Sequence, residues 1–207
     1  SLLFIPILFI SSLHAQINPK TKWGDVSQAE IDYKQVPFEK EAAAVILYES
    51  GEMLITYTEW GNKIHKRIKI LSEKGKEEAN FKIVYFTYHN RENIIDFKAQ
   101  TINFVNGKKE ISPVKMKDVY DVPYYGYYYT RTFAFPNVQV GSIIELEYTL
   151  LNDNHSYLEN WEFQHQLPTL YSSLSIDVQV PIDYIPICTG KKMQEFIKQN
   201  KNKKEYK

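Results

Sequence analysis

The chain has 207 residues with 25 basic and 25 acidic side chains, so no overall charge draws it to nucleic acid. Hydrophobic residues make up 43% and the mean hydropathy is −0.41, as in an ordinary globular protein able to bury a substantial core. A lone cysteine, Cys188, excludes an internal disulfide, and 16 Tyr and 11 Phe against 8 Gly favour strands, where rings fit a pleated surface.

Residues 1–15 read as an export signal. Leu2–Ile10 is an apolar run too short to span a bilayer, and the small polar Ser11 and Ser12 follow it. Cleavage after Ala15 would put Leu13 where a small residue is usual. The chain opens at Ser1 with neither Met nor a basic stretch, so the start of the signal is expected upstream. The expected location is periplasmic or secreted, with no membrane span after cleavage.

Ser27 followed by Glu30 is a capping box and predicts a short helix over 27–34, ahead of Pro37. From Ala42 onward the apolar period is close to two. Strands are expected at Ala42–Tyr48, Glu52–Glu59, Ile64–Leu71, Ala79–Tyr85, Ile94–Phe104, Tyr128–Phe135, Ser142–Leu151, Trp161–Gln166 and Leu174–Val180. Ser50-Gly51 reads as a turn between the first two, and Asn106-Gly107 as a hairpin turn. Pro136-Asn137 and Gly141 mark the connection before the strand at 142.

Alternation assigns faces. Ile64, Ile68 and Ile70 point inward, and His65, Arg67 and Lys69 outward; Ile144, Leu146, Tyr148 and Leu150 point inward, and Glu145, Glu147 and Thr149 outward. Ile95, Phe97 and Ala99 differ in parity from Ile102 and Phe104, which predicts a bulge near Gln100 or Thr101. Many short strands with closely spaced turns predict an all-β fold: an antiparallel β-sandwich or open curved sheet with a short N-terminal helix. Residues 186–207 lose the pattern. Met193, Phe196 and Ile197 suit one helical turn, and the seven Lys and two Glu of 191–207 read as a solvated tail or linker, with the chain expected to continue beyond it.

Cys188 has no base placed by sequence, and His65, His89, His155 and His165 show no paired ligand spacing, so neither a metal nor a cofactor is expected. Asn152–His155 lacks the glycine and distal Glu of a calcium loop. Glu145 and Glu147, about 6.6 Å apart along a strand, have the spacing of an inverting hydrolase but read as acids on a solvated face. The best binding candidate is "YYGYYYTRTF". Tyr124, Tyr125, Tyr127, Tyr128 and Tyr129 offer rigid contact area with polar tips, and Arg131 a planar donor fork, suited to a peptide or glycan. The alternative is a Tyr-rich loop whose rings simply pack.

The segments "WGDVS", "AAAVILYESGE", "HKRIKILSEKGKEEANFKI", "IIDFKAQTIN", "FAFPNVQVGSIIELEYTL" and "LENWEFQHQLP" together resemble domain-of-unknown-function family 3857 of bacterial envelope proteins, over roughly residues 22–185. The resemblance implies a β-rich domain that usually precedes a transglutaminase-like domain with a Cys-His-Asp triad. These residues contain no counterpart of that second domain, so none of its catalytic residues is carried over. The expectation is a non-catalytic exported β module that associates with a protein or partners a downstream transglutaminase-like domain. The alternatives are a glycan- or peptide-binding sandwich, or the front part of a transglutaminase-like enzyme. Mass spectrometry of exported protein is expected to find about 15 residues removed; an intact Leu2–Ile10 would refute the export reading.

Overall fold

A computed structural model describes residues 19–155, 158–181, 197–200 and 203–206; the expected signal segment and Cys188 lie outside them. Helix α1 (Gln28–Asp32) starts where the capping box places it. Glu30 N–H donates to Ser27 Oγ at 3.3 Å, and Ser27 N–H to Glu30 Oε2 at 2.7 Å. No helix among the described residues is long and apolar enough to cross a membrane.

Eleven strands follow among the described residues: β1 (Ala44–Ile55), β2 (Trp60–Ile70), β3 (Asn80–Phe86), β4 (Glu92–Val105), β5 (Lys108–Pro113), β6 (Tyr120–Tyr125), β7 (Tyr128–Ala134), β8 (Ile143–Asn152), β9 (Ser172–Val178), β10 (Ile197–Asn200) and β11 (Lys203–Tyr206). The large sheet has the order β10-β11-β9-β1-β2-β8-β4-β5, and a smaller one the order β3-β7-β6. The fold is all-β with a short N-terminal helix. Pairing is antiparallel except between β1 and β9, which run parallel. The Asn106-Gly107 hairpin forms as expected, both residues having positive φ (49° and 74°), which the tight β4–β5 turn requires.

Ser50-Gly51 makes no turn. Both lie inside the single long strand β1, and the glycine serves close packing instead. A Cβ on Gly51 would sit 2.6 Å from the Trp161 ring, so only glycine lets the indole lie against the strand. The Trp161–Gln166 segment is irregular rather than a strand. In the basic tail, Met193 and Phe196 of the expected helical turn lie outside the described residues, Ile197 begins β10, and β11 pairs with β9.

The main correction concerns the polar faces of β2 and β8. His65, Arg67, Lys69 and Glu145 do not face solvent: they are 4%, 0%, 3% and 0% exposed. The central strands of the large sheet are covered on both sides. Its front packs on the small sheet through a core that includes Ile68, Ile83, Phe133, Ile144 and Leu146. Its back is covered by the N-terminal segment through Val36, Val45, Leu47, Ile102 and Ile143. A sheet buried on both faces has apolar residues on both parities. That explains β4, where Ala99 faces the front core and Ile102 the back without any bulge between them. The bulge lies earlier, between Ile95 and Lys98, where Asp96 adopts a φ of 53°.

Buried charged groups on the back face all have hydrogen-bond partners. Arg67 Nε donates to Glu145 Oε1 at 2.7 Å; Nη1 donates to Glu30 Oε1 (3.1 Å) and Lys20 O (2.6 Å), and Nη2 to Lys22 O (2.6 Å). Glu145 also accepts from Gln100 Nε2 (2.6 Å) and from Gly24 N–H (2.9 Å), and His65 Nε2 lies 2.8 Å away. Lys69 Nζ donates to Ile31 O and Gly141 O, both at 2.8 Å. Burial by itself would raise the Glu145 carboxyl, but the His65 hydrogen bond, the Arg67 charge and Gln100 outweigh it and hold the group below its ordinary 4.5. Glu147, two residues on, is not on a solvated face either: its side chain keeps 12% exposure and pairs with Lys98 at 2.8 Å, whose own side chain is 44% exposed.

Glu145→Ala is expected to destabilise by about 3–5 kcal/mol, because Arg67 is left buried without its partner. Glu147→Gln is expected to cost within about 1 kcal/mol, as a partly exposed pair. A depressed carboxyl contributes stability above its unfolded value that is lost as pH falls through the folded one. Thermal melts of wild type should therefore decline below about pH 4.5, and a Glu145→Gln variant should show a shallower acid limb. Equal melts for the Glu145 and Glu147 variants would refute the network's role.

Candidate functional site

The six residues singled out from sequence divide into two groups. Tyr124, Tyr125, Tyr127 and Tyr128 stand on the surface around the β6–β7 turn, between 45% and 80% exposed. They continue into the aromatic end of β3: Tyr127 lies 4.5 Å from Tyr88 between ring centroids, and Tyr128 5.1 Å from Phe86. Cross-strand register puts Val84, Thr130 and Val122 in one row, with both valines exposed. The outer side of the small sheet thus carries exposed Val84 and Val122 beside the tyrosines, followed by a more polar row of Lys82, Thr132 and Tyr120.

Tyr129 and Arg131 turn the other way. Tyr129 packs toward Tyr85, at 6.3 Å between centroids. The Arg131 fork is already filled: Nε and Nη2 donate to the two oxygens of Asp121 at 2.9 and 2.8 Å, with Phe97 beneath the guanidinium. The hydrogen bonds from Arg131 hold the Asp121 carboxyl below its usual range. The Arg131 fork is thus occupied by Asp121, and Tyr129 is half-buried.

A second place was missed by sequence reasoning. A groove of about 190 Å³ opens between β2, β8, Phe81 of β3 and the 159–165 segment. Ile64, Leu146, Phe81 and Trp161 supply apolar wall; Glu49, Asn62, Lys66, Tyr148, Glu159 and His165 supply polar groups. Glu49 is satisfied, by Lys66 Nζ at 2.5 Å and His165 Nε2 at 2.6 Å. Burial would raise this carboxyl, but the hydrogen bond with His165 and the Lys66 charge hold it below its ordinary value. Glu159 differs: burial first, and the charge of Glu92 second, push its carboxyl up to about 7. Among the described residues no donor reaches it. Asn62, only 2% exposed, leaves its Oδ1 without a hydrogen bond. Burial also raises the Tyr148 phenol. The available sequence signal was the parity of Asn62 and Lys66, two polar residues on the inward face of β2 beside Ile64 and Ile68. Among the described residues no group of three or more His, Cys, Asp or Glu is placed to hold a metal ion.

A raised carboxyl favours the folded state when protonated, and that advantage is lost as pH rises from the unfolded value through about 7. Glu159→Gln is therefore expected to melt higher than wild type at pH 8 and close to it at pH 4. The reverse order would refute the environment assigned to Glu159.

No curated protein matches the chain. A crystal structure of a putative protease from Parabacteroides distasonis ATCC 8503 has a similar fold, with a TM-score of 0.59 at 13% identity. The likeness covers 79% of this chain and 34% of that one, so the chain spans about a third of the solved structure's length. The model of DUF3857, a domain of unknown function with a solved structure, matches residues 58–207. That range contains the Tyr hairpin, the buried Arg67 and Glu145, and most of the groove lining. By this match the chain belongs to the DUF3857 family.

Proposed function

We propose that this domain is a non-catalytic, exported module that docks a protein surface through the outer side of its small sheet. The observation that carries the reading is the exposed aromatic cluster. Four exposed tyrosines gather around one turn, with Tyr88 against Tyr127 and the exposed Val84 and Val122 on the same sheet. Such surfaces mark association sites, and rigid aromatic side chains lose little entropy on contact.

The acid–base groups support the non-catalytic part. In a nucleophile–histidine–carboxylate relay the imidazole lies between hydroxyl and acid. Here the order is different: the Glu49 carboxylate lies between Ser172 Oγ (3.4 Å) and His165 Nε2 (2.6 Å), so the imidazole cannot take the serine proton. Glu145 and Arg67 are spent on each other and on the N-terminal backbone. The similar fold within a longer chain described as a protease, together with the implied transglutaminase-like neighbour, supports a catalytic region of a larger protein as the docking partner.

Photo-crosslinking tests this. A benzophenone amino acid at Tyr125 or Tyr127, in the cell that exports the protein, is expected to give one discrete adduct. The same group at Tyr57, 75% exposed but outside the cluster, should give none. A variant with Tyr124, Tyr125, Tyr127 and Tyr128 all changed to Ser should melt within about 0.5 kcal/mol per site of wild type, as surface changes do, and lose the association. Equal labelling at Tyr57 and Tyr125 would refute the reading.

A further inference from the structure

The groove beside β2 holds two groups that lack what their surroundings demand. The Glu159 carboxyl is largely covered, has Glu92 as a charged neighbour, and receives no donor from the described residues. The Asn62 amide is buried at the same groove with Oδ1 unpartnered. A buried acceptor without a hydrogen bond is costly, and so is a partly desolvated carboxylate without a counter-charge. The Asn62 oxygen needs a donor and the Glu159 carboxylate a positive charge, and one charged donor meets both. Lys66 does not supply it, being held by Glu49. His165 is likewise turned to Glu49 with Nε2, and its Nδ1 lies 3.8 Å from Glu162. With Glu49, Glu159 and Glu162 against Lys66, the groove keeps an excess of negative charge.

The remaining walls select the rest of the ligand. Ile64, Leu146 and Phe81 are apolar, and Trp161 and Tyr148 present ring surfaces suited to a cation and its methylene stem. At about 190 Å³ the space is smaller than the roughly 300–1,000 Å³ of pockets for drug-sized molecules, and suits one side chain. We propose that the groove binds a primary ammonium on an alkyl stem, as a lysine side chain presents it. The Glu159 carboxylate and Asn62 Oδ1 take the ammonium, and Phe81, Leu146 and Trp161 take the stem. This site is separate from the tyrosine surface and does not depend on it.

The test titrates the 207-residue protein at pH 8 with N-acetyl-lysine methylamide, whose ammonium remains charged there. The readout is the Trp161 indole N–H resonance, assigned with Trp161→Phe. The expected result is a saturable shift. N-acetyl-norleucine methylamide, lacking the charge, should bind at least about tenfold more weakly, as befits a lost charged hydrogen bond. Glu159→Gln and Asn62→Leu should each weaken the lysine probe by about tenfold. Glu159→Gln removes no folded-state partner and is expected to melt above wild type at this pH, so its loss of binding reports the site and not the fold. Equal affinity for the two probes, undiminished binding by Glu159→Gln, or a Trp161 resonance unmoved by the lysine probe would each overturn the proposal.

Discussion

The structure depends on a buried charge pair, Arg67 with Glu145. Taking two such ions out of water costs several kcal/mol each, and their attraction compensates only if the remaining donors and acceptors are also satisfied. Arg67 has five N–H donors, and the sheet offers it only Glu145. The carbonyls of Lys20 and Lys22 and the carboxylate of Glu30 complete its shell, while Gly24 N–H completes that of Glu145. The N-terminal segment is therefore more than a cover for apolar surface. Its backbone replaces the water that the pair gave up, which ties residues 20–30 to one position on β2 and β8.

Once the back is closed in this way, the connections must run over the front. β8 and β1 are both antiparallel to β2, and β9 is parallel to β1, so β8 and β9 point the same way. Joining two strands of like direction requires a crossover, and this one spans β2 and β1. The described residues of the 153–171 connection make that crossing without helix or strand. Trp161 is laid on Gly51, and Trp161 Nε1 donates to Ser172 Oγ at 3.1 Å. The groove is the space left between this crossover, the inward face of β2 and β8, and Phe81. Its polar lining follows from that origin, because an irregular segment brings Glu159 and His165 where a helix or strand would bring apolar residues.

Local signals in the sequence were legible and long-range ones were not. The capping box, the Asn-Gly hairpin and the apolar parity of β2 and β8 each rest on neighbours within a few residues. The opposite parity misled because alternation with charge signals solvent only when nothing covers the strand. The cover here includes Glu30, 37 residues before Arg67, and its evident role in capping α1 concealed its second role. Strand β6 was not expected from the sequence; it holds Pro123, which a strand tolerates only at an edge, and β6 is an edge strand. Without β6, the pairing of Asp121 opposite Arg131 could not be seen, and Arg131 read as a free donor fork. The tyrosines needed no partner to be read as exposed, and four of five are.

Strand β3 contributes to both surfaces, and its pleat keeps them apart. Phe81, Ile83 and Tyr85 share one parity and face the front core, Phe81 reaching the groove. Phe86 has the other parity and joins Tyr127 and Tyr128 on the outer side. Successive side chains on a strand point to opposite faces, so a side chain held in the groove and a partner docked outside meet different atoms of β3. Neither excludes the other. The pleat also makes the two surfaces separable by substitution: exposed tyrosines can be changed without disturbing the walls around Glu159, and Glu159 can be changed without touching the aromatic cluster. A loss confined to one surface is then evidence about that surface, because the ladder between β3 and β7 holds both in place through backbone hydrogen bonds that neither substitution removes.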